Sequence, residues 1–247
     1  MLGLPNSIRA CLFDLDGVLT KTAAVHARAW KEMFDAFLQR RAGPGAPFVP
    51  FDQARDYIEY VDGKPRADGV RAFLQSRHIV LPEGGSHDPP QIDTINGLGN
   101  RKDRIFLDLI HRDGVQTYDG SVRYVDAARE AGFRLAVVSS SKNTTEVLRA
   151  ARLEGRFDAQ VDGNVAQREH LKGKPAPDTY LRAAHMLHAA ATEAAVYEDA
   201  LAGVAAGHAG GFGIVIGLDR AGQSDALYAH GADLVVKDLA ELLPPAG

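Results

Sequence analysis

The stretch Ile8-Arg9-Ala10-Cys11-Leu12-Phe13-Asp14-Leu15-Asp16-Gly17 decides the fold. A short apolar run closed by Asp and Gly reads as a buried strand running into a loop. The period then changes. Ala23, His26, Ala27, Trp30, Met33, Phe34 and Phe37 recur at three- and four-residue spacing, which predicts a helix that Thr22 is placed to cap. Arg41 to Pro50, with Gly43, Pro44, Gly45, Pro47 and Pro50, reads as a loop. Helices are predicted over Phe51 to Tyr60, Ala67 to Arg77 and Asn100 to His111. The turn Asp62-Gly63-Lys64-Pro65-Arg66 separates the first two, and Leu81 to Gln91 is turn-rich. Between Thr20 and Gln116 nothing has the pattern of a strand.

Further along, strands and helices alternate. Strands are predicted at Arg134 to Val138, Phe157 to Val161, Ala194 to Tyr197, Gly213 to Ile216 and Asp233 to Val236. The helices are Val122 to Ala131, Thr144 to Ala151, Pro177 to Ala189, Leu201 to Ala209 and Asp238 to Leu243. Such alternation implies right-handed crossovers and a parallel sheet covered by helices on both faces. The predicted fold class is α/β: a doubly wound parallel-sheet (Rossmann-like) core with a helical cap domain inserted after the first strand. The core would comprise residues 1–19 and 117–247, the cap residues 20–116, with the two connecting strands as hinges.

Composition narrows the function classes. The 28 basic and 32 acidic residues leave a net charge of −4, without the basic excess of a dedicated nucleic-acid binder. A 45% hydrophobic content excludes a disordered chain. The single cysteine, Cys11, excludes a disulfide framework and any multi-cysteine metal site, and reads as a small buried apolar residue. No apolar run has the length of a membrane span, and Met1 to Ala10 lacks a secretory pattern. The expectation is a cytoplasmic protein, monomeric or a weak homo-oligomer, without nucleic-acid or membrane partners.

In open parallel sheets ligands bind beyond the carboxyl ends of the strands. Three predicted strand ends carry polar tips: Asp14 with Asp16, Ser139-Ser140-Ser141, and Glu198-Asp199. A fourth element, Lys172-Gly173-Lys174-Pro175, precedes a helix. Four carboxylates packed together repel one another unless a cation joins them, and a hard divalent cation such as Mg²⁺ meets that need with oxygen ligands. Lys174 and Ser139 supply charge and hydrogen bonds for phosphate oxygens. One aspartate can then act as nucleophile. The other, two residues on and on the same side of an extended chain, can exchange a proton with the leaving and incoming oxygens.

Taken as a set, Phe13-Asp14-Leu15-Asp16-Gly17-Val18-Leu19-Thr20, Val137-Val138-Ser139, Lys174 and Glu198-Asp199 resemble the four motifs of the haloacid-dehalogenase-like phosphotransferases. A narrower resemblance, to that superfamily's β-phosphoglucomutase group, is carried by Thr22-Ala23, His26, Arg28-Ala29-Trp30-Lys31, Ser139-Ser140-Ser141-Lys142-Asn143 and Lys174-Pro175-Ala176-Pro177-Asp178. The resemblance implies Asp14 as nucleophile and Asp16 as general acid/base. It implies Asp14, the Asp16 carbonyl, Glu198 and Asp199 around Mg²⁺. Ser139, Ser140 and Lys174 would hold the transferring phosphoryl group, with Lys142 and Asn143 in the same phosphate-binding segment. In the cap loop, Gly63, Lys64 and Arg66 would take substrate, with Arg66 on the distal phosphate of a bisphosphate. Thr22 and His26 would help position Asp16. Two positions depart from the group's pattern: Asp62 stands where a lysine is usual, and Ala200 where a serine is.

The implied activity is a Mg²⁺-dependent interconversion of β-D-glucose 1-phosphate and glucose 6-phosphate through an aspartyl-phosphate and a bisphosphate, in which a closed cap excludes water. The alternative is a phosphatase of a small phosphorylated metabolite using the same nucleophile. His26 shares a stripe with Trp30 and Phe34, so core and site roles are both open for it, whereas Trp30 reads as core or hinge packing, and Arg101-Lys102 as solvated charge or as a pair facing the crevice from the cap.

Overall fold

The structure, a computed structural model, describes residues 2–244. It divides into two compact units, one running to Lys21 and resuming at Val115, the other spanning Thr22–Gly114. Thr20 and Thr117, the residues flanking the junction, form an antiparallel bridge within the first unit.

The first unit is built on six parallel strands: β1 (Ala10–Phe13), β2 (Arg134–Val138), β3 (Ala159–Val161), β4 (Ala194–Glu198), β5 (Ile214–Leu218) and β6 (Leu234–Val236). Their order is β3-β2-β1-β4-β5-β6, the doubly wound order with the switch point beside the first strand. The expected parallel-sheet core is therefore present. β1 is central, pairing with β2 on one side and β4 on the other. All four of its residues are buried, as befits a strand covered on both faces. Alternation then sorts the core. Ala10, Leu12, Ala136, Val138, Ala194 and Val196 pack with Tyr180 and Ala183 of α7 (Asp178–Met186) and Val204 of α8 (Leu201–Ala209). On the other face Phe13 stacks on Tyr197 at 4.3 Å and meets Tyr124 of α4 (Asp119–Glu130) edge-on.

The second unit holds α1 (Thr22–Ala42), a π-helical turn (Tyr57–Val61), α2 (Arg66–Ser76) and α3 (Ile95–Asp113). Its core is aromatic: Trp30, Phe34, Phe37, Phe51 and Phe73 pack with Met33, Val70, Leu74, Ile95 and Leu98. Phe73 sits at the middle, 4.1 Å from the Phe34 ring and 5.1 Å from Phe51, with the Arg77 guanidinium 5.0 Å over its face. Phe73→Ala is expected to destabilise this unit by about 3–5 kcal/mol, the usual loss for a buried Phe, read as a lower denaturant midpoint at constant slope.

Several expected elements differ. The helix expected over Phe51 to Tyr60 is shorter: it starts after Asp52, whose Oδ1 accepts the Ala54 and Arg55 N–H groups as a cap, and it closes as the π turn. Its closing bond runs from the Asp62 N–H to the Tyr57 carbonyl, five residues back. Thr22 is the first residue of α1 rather than its cap. α7 stops at Met186, before the left-handed His188 at φ 51°. Two helices went unexpected in the sequence: α6 (Gly163–Arg168), capped by Asp162, and α9 (Ser224–Ala229); α5 (Thr144–Ala150) lies as expected.

Candidate active site

Asp14 follows directly on β1, and Glu198 ends β4, the neighbouring strand. Parallel pairing thus sets the two carboxylates at the same edge of the sheet. Asp199 follows Glu198, and Lys174 comes from the loop ahead of α7. All four are buried. The Lys174 ammonium donates to Asp14 Oδ1 at 2.5 Å and to Glu198 Oε1 at 2.5 Å. Glu198 Oε1 also accepts the Tyr180 hydroxyl at 2.9 Å, and Oε2 accepts the Ala200 N–H at 3.1 Å. Glu198 therefore holds Lys174 in place through oxygens that protein donors already engage. Ser139, at the end of β2, points its Oγ at Asp16 Oδ2, 3.5 Å away.

The electrostatics follow from burial. Loss of water pushes the Asp14 carboxyl well above the ordinary carboxylate range; Lys174 opposes that rise, while Glu198 and Asp16 add to it. Burial pulls the Lys174 ammonium down, and its two carboxylate partners more than reverse this, so it stays charged.

Asp14, Glu198 and Asp199 offer carboxylate oxygens that all lie within 4.8 Å of one another. The three carboxylates outnumber the single Lys174 ammonium, and a divalent cation would offset the excess negative charge of their ionised forms. The donors are all oxygen, so a hard cation fits them. The chain makes space for this arrangement with two glycines. A Cβ at Gly17, whose φ is +90°, would lie 1.7 Å from Asp199 Oδ2, and one at Gly203 would lie 1.7 Å from Glu198 Oε1.

Three expected phosphate-binding residues lie just beyond Ser139. Ser140 is half-buried. The Lys142 ammonium is hydrogen-bonded to Gln167 on α6. Asn143 immediately precedes α5, its N–H bonded to Ser141 Oγ at 3.1 Å.

The remaining expected residues belong to the second unit. Thr22 is buried at the start of α1. Gly63 takes the left-handed conformation, φ 68°, that turns the loop from the π turn toward α2. The Lys64 ammonium donates to the Glu59 carbonyl at 3.0 Å, and burial lowers its pKa. Arg66, the first residue of α2, is paired with Asp103 and donates to Asn100 Oδ1 at 3.2 Å, both on α3. It lies flat on Gly99, where a Cβ would come 3.3 Å from its Cγ. Its guanidinium is thereby fixed in one orientation.

His26 stacks on Phe106 at 3.9 Å, and its Nδ1 is hydrogen-bonded to the Lys102 ammonium. Lys102 is 4% exposed and lies 5.0 Å over Trp30 and 4.9 Å over Phe106. This corrects the reading of Arg101-Lys102 as solvated charge: Lys102 is a buried cation on the apolar face of α3, and Arg101 is mostly covered, bonded to the Pro90 carbonyl and Asp93. The i, i+4 spacing of Leu98, Lys102 and Phe106 carried that signal. Tyr180, by contrast, meets Glu198 only through the tertiary fold.

The described residues contain no helix long and apolar enough to cross a membrane. The family model for haloacid dehalogenase-like hydrolases matches residues 8–211. A β-phosphoglucomutase of Mycobacterium bovis is 55% identical over 247 residues, covering 98% of this chain and 94% of that protein. A β-phosphoglucomutase of Bacillus subtilis is 30% identical over 236 residues, covering 95% of this chain and 92% of that protein. The crystal structure of a hydrolase from Pseudomonas syringae shares the fold, with a TM-score of 0.77 at 22% identity over 95% of each chain. With the cluster of Lys174 and three carboxylates, these similarities support phosphoryl transfer as its chemistry, and this chain belongs to the haloacid dehalogenase-like hydrolase family.

Proposed function

We propose that this protein is a Mg²⁺-dependent β-phosphoglucomutase that interconverts β-D-glucose 1-phosphate and glucose 6-phosphate. The observation that carries the proposal is the buried cluster in which Lys174 joins Asp14 to Glu198 with Asp199 alongside. The likeness to two β-phosphoglucomutases along nearly the whole chain supports the choice of sugar phosphate.

Asp14 attacks phosphorus, and the bond from phosphorus to the sugar oxygen breaks. Asp16 gives its proton to that departing oxygen and later takes one from the oxygen that attacks phospho-Asp14. Ser139, 3.5 Å from Asp16, and the Lys174 ammonium supply donors to the phosphoryl oxygens, assisted by Ser140. Asp14, Asp199, the Asp16 carbonyl and Glu198 would hold Mg²⁺, which when bound would supply positive charge to the same oxygens. In the full cycle phospho-Asp14 phosphorylates the 6-hydroxyl of β-glucose 1-phosphate. The bisphosphate reorients, and Asp14 removes the 1-phosphate to leave glucose 6-phosphate. Arg66, already oriented by Asp103 and Asn100, takes the distal phosphate, where binding energy remote from the reacting centre assists the transfer.

The test is ³¹P NMR of the purified enzyme with Mg²⁺, β-glucose 1-phosphate and a trace of β-glucose 1,6-bisphosphate. Glucose 6-phosphate should form with little free phosphate. Arg66→Ala should lower that conversion roughly 10- to 100-fold, because a charged hydrogen-bond partner contributes about 1.5–3 kcal/mol. Release of free phosphate without isomerisation, unaffected by Arg66→Ala, would establish the phosphatase reading instead.

A further inference from the structure

The loop between β5 and α9 reaches two backbone carbonyls that flank the Asp199 carboxylate. The Arg220 Nε donates to the Gly17 carbonyl at 2.9 Å. Its guanidinium lies 3.6 Å over the Tyr118 ring, and its Nη1 donates to the Lys237 carbonyl at 2.5 Å. With the Asp238 carboxylate 3.9 Å from Nη1, four separate groups thus fix one side chain, which is only 15% exposed. Gln223, three residues on, donates from Nε2 to the backbone carbonyl of Asp199 at 3.0 Å. The loop is itself braced, since the Gln223 N–H bonds back to Asp219 Oδ1 at 2.8 Å.

These two contacts grip the two backbone segments that enclose the Asp199 side chain. Gly17 forms one wall, so close that a Cβ there would overlap Asp199 Oδ2. Asp199's own peptide forms the other. A shift of either segment moves the carboxylate, and a metal site tolerates such movement poorly because partners that orient a ligand strongly influence affinity. Both side chains also keep one buried polar atom without a hydrogen-bond partner among the described residues, Arg220 Nη2 and Gln223 Oε1. Each side chain nonetheless keeps the donor that reaches the Gly17 or the Asp199 carbonyl.

We propose that Arg220 and Gln223 are positioning residues that set the Asp199 carboxylate for the divalent cation. The inference rests on the reading of Asp199 as a metal ligand, so the experiment separates the two. Mn²⁺ is titrated into the full-length enzyme and followed by electron paramagnetic resonance, with a thermal midpoint for each metal-free variant. Asp199→Asn, the control, should weaken Mn²⁺ binding; if it does not, the metal-site reading fails. Gln223→Ala and Arg220→Ala should each weaken binding by about tenfold or more. The near-isosteric, uncharged Gln223→Met keeps the bulk but removes the N–H donor, and should weaken binding equally. The double variant should lose less than the product of the two single losses, because both contacts act on one carboxylate. Lower thermal midpoints with unchanged Mn²⁺ affinity, alongside a weakened Asp199→Asn, would overturn the proposal and leave the two residues purely structural.

Discussion

Asp14→Asn is expected to abolish phosphoryl transfer while leaving the fold intact. The amide matches the carboxylate in size and shape but cannot attack phosphorus, and loss of a covalent nucleophile lowers turnover by on the order of 10⁴-fold or more. Stability should move the other way or not at all. Burial raises the Asp14 pKa, which means that the folded state disfavours its charge. A group raised in this way is a stability burden above its unfolded pKa, and the burden grows with pH. Removing the charge relieves that burden, and Lys174 retains Glu198 as its anionic partner. The metal-free variant should therefore melt at or slightly above the parent temperature near neutral pH, with the difference vanishing in acid. ³¹P NMR reads the transfer and calorimetry the stability. Retained isomerisation would place the nucleophile elsewhere, and a collapse in stability would recast Asp14 as a structural ion-pair partner.

What could be read from the chain and what could not divides on physical lines. β1 was legible because Ala10 to Phe13 is a buried apolar run that stops at an acidic turn. Asp14, Ser139 and Glu198 were legible because each stands at the end of such a strand. Helices α6 and α9 were not, since six residues hold fewer than two turns; α6 buries no residue and α9 only Leu227. The cap on α6 was present all the same, as Asp162 accepts the Asn164 and Val165 N–H groups. The partners of the catalytic groups were hidden for another reason. Tyr180 meets Glu198 and Arg220 meets Gly17 by tertiary contacts, which no local spacing encodes. The Gly63 turn ahead of Arg66 was legible, whereas Asp103 and Asn100, which fix Arg66, lie on a different helix.

Lys174→Met is expected to produce the largest loss of stability of any single substitution in the site. The side chain is 1% exposed and joins two carboxylates of comparable burial at 2.5 Å each. Methionine has similar length and packs against the same Tyr180 ring, 5.0 Å from the ammonium, so the change removes charge with little loss of volume. Taking one partner from a buried ion pair leaves the other uncompensated, at a cost of about 3–5 kcal/mol. In a chain of 247 residues that corresponds to a fall of roughly 6–20 °C in thermal midpoint. The sign with pH is fixed by the direction of the shift. The folded Lys174 pKa lies above its unfolded value, so the stabilisation is complete below that unfolded value and is lost only as strongly alkaline pH is approached. The gap between parent and variant should therefore persist at neutral and mildly alkaline pH. It should narrow in acid, where Asp14, deprived of its opposing cation, takes up a proton. Adding Glu198→Gln to Lys174→Met tests the cause directly. The glutamine carbonyl can still accept the Ala200 N–H while its NH₂ faces the Tyr180 hydroxyl, which can turn to accept, and it removes one of the stranded charges, so the double variant should regain part of the lost midpoint although it carries one more mutation. Additive losses in that double variant would mean that packing around Lys174, rather than its charge, holds the cluster together.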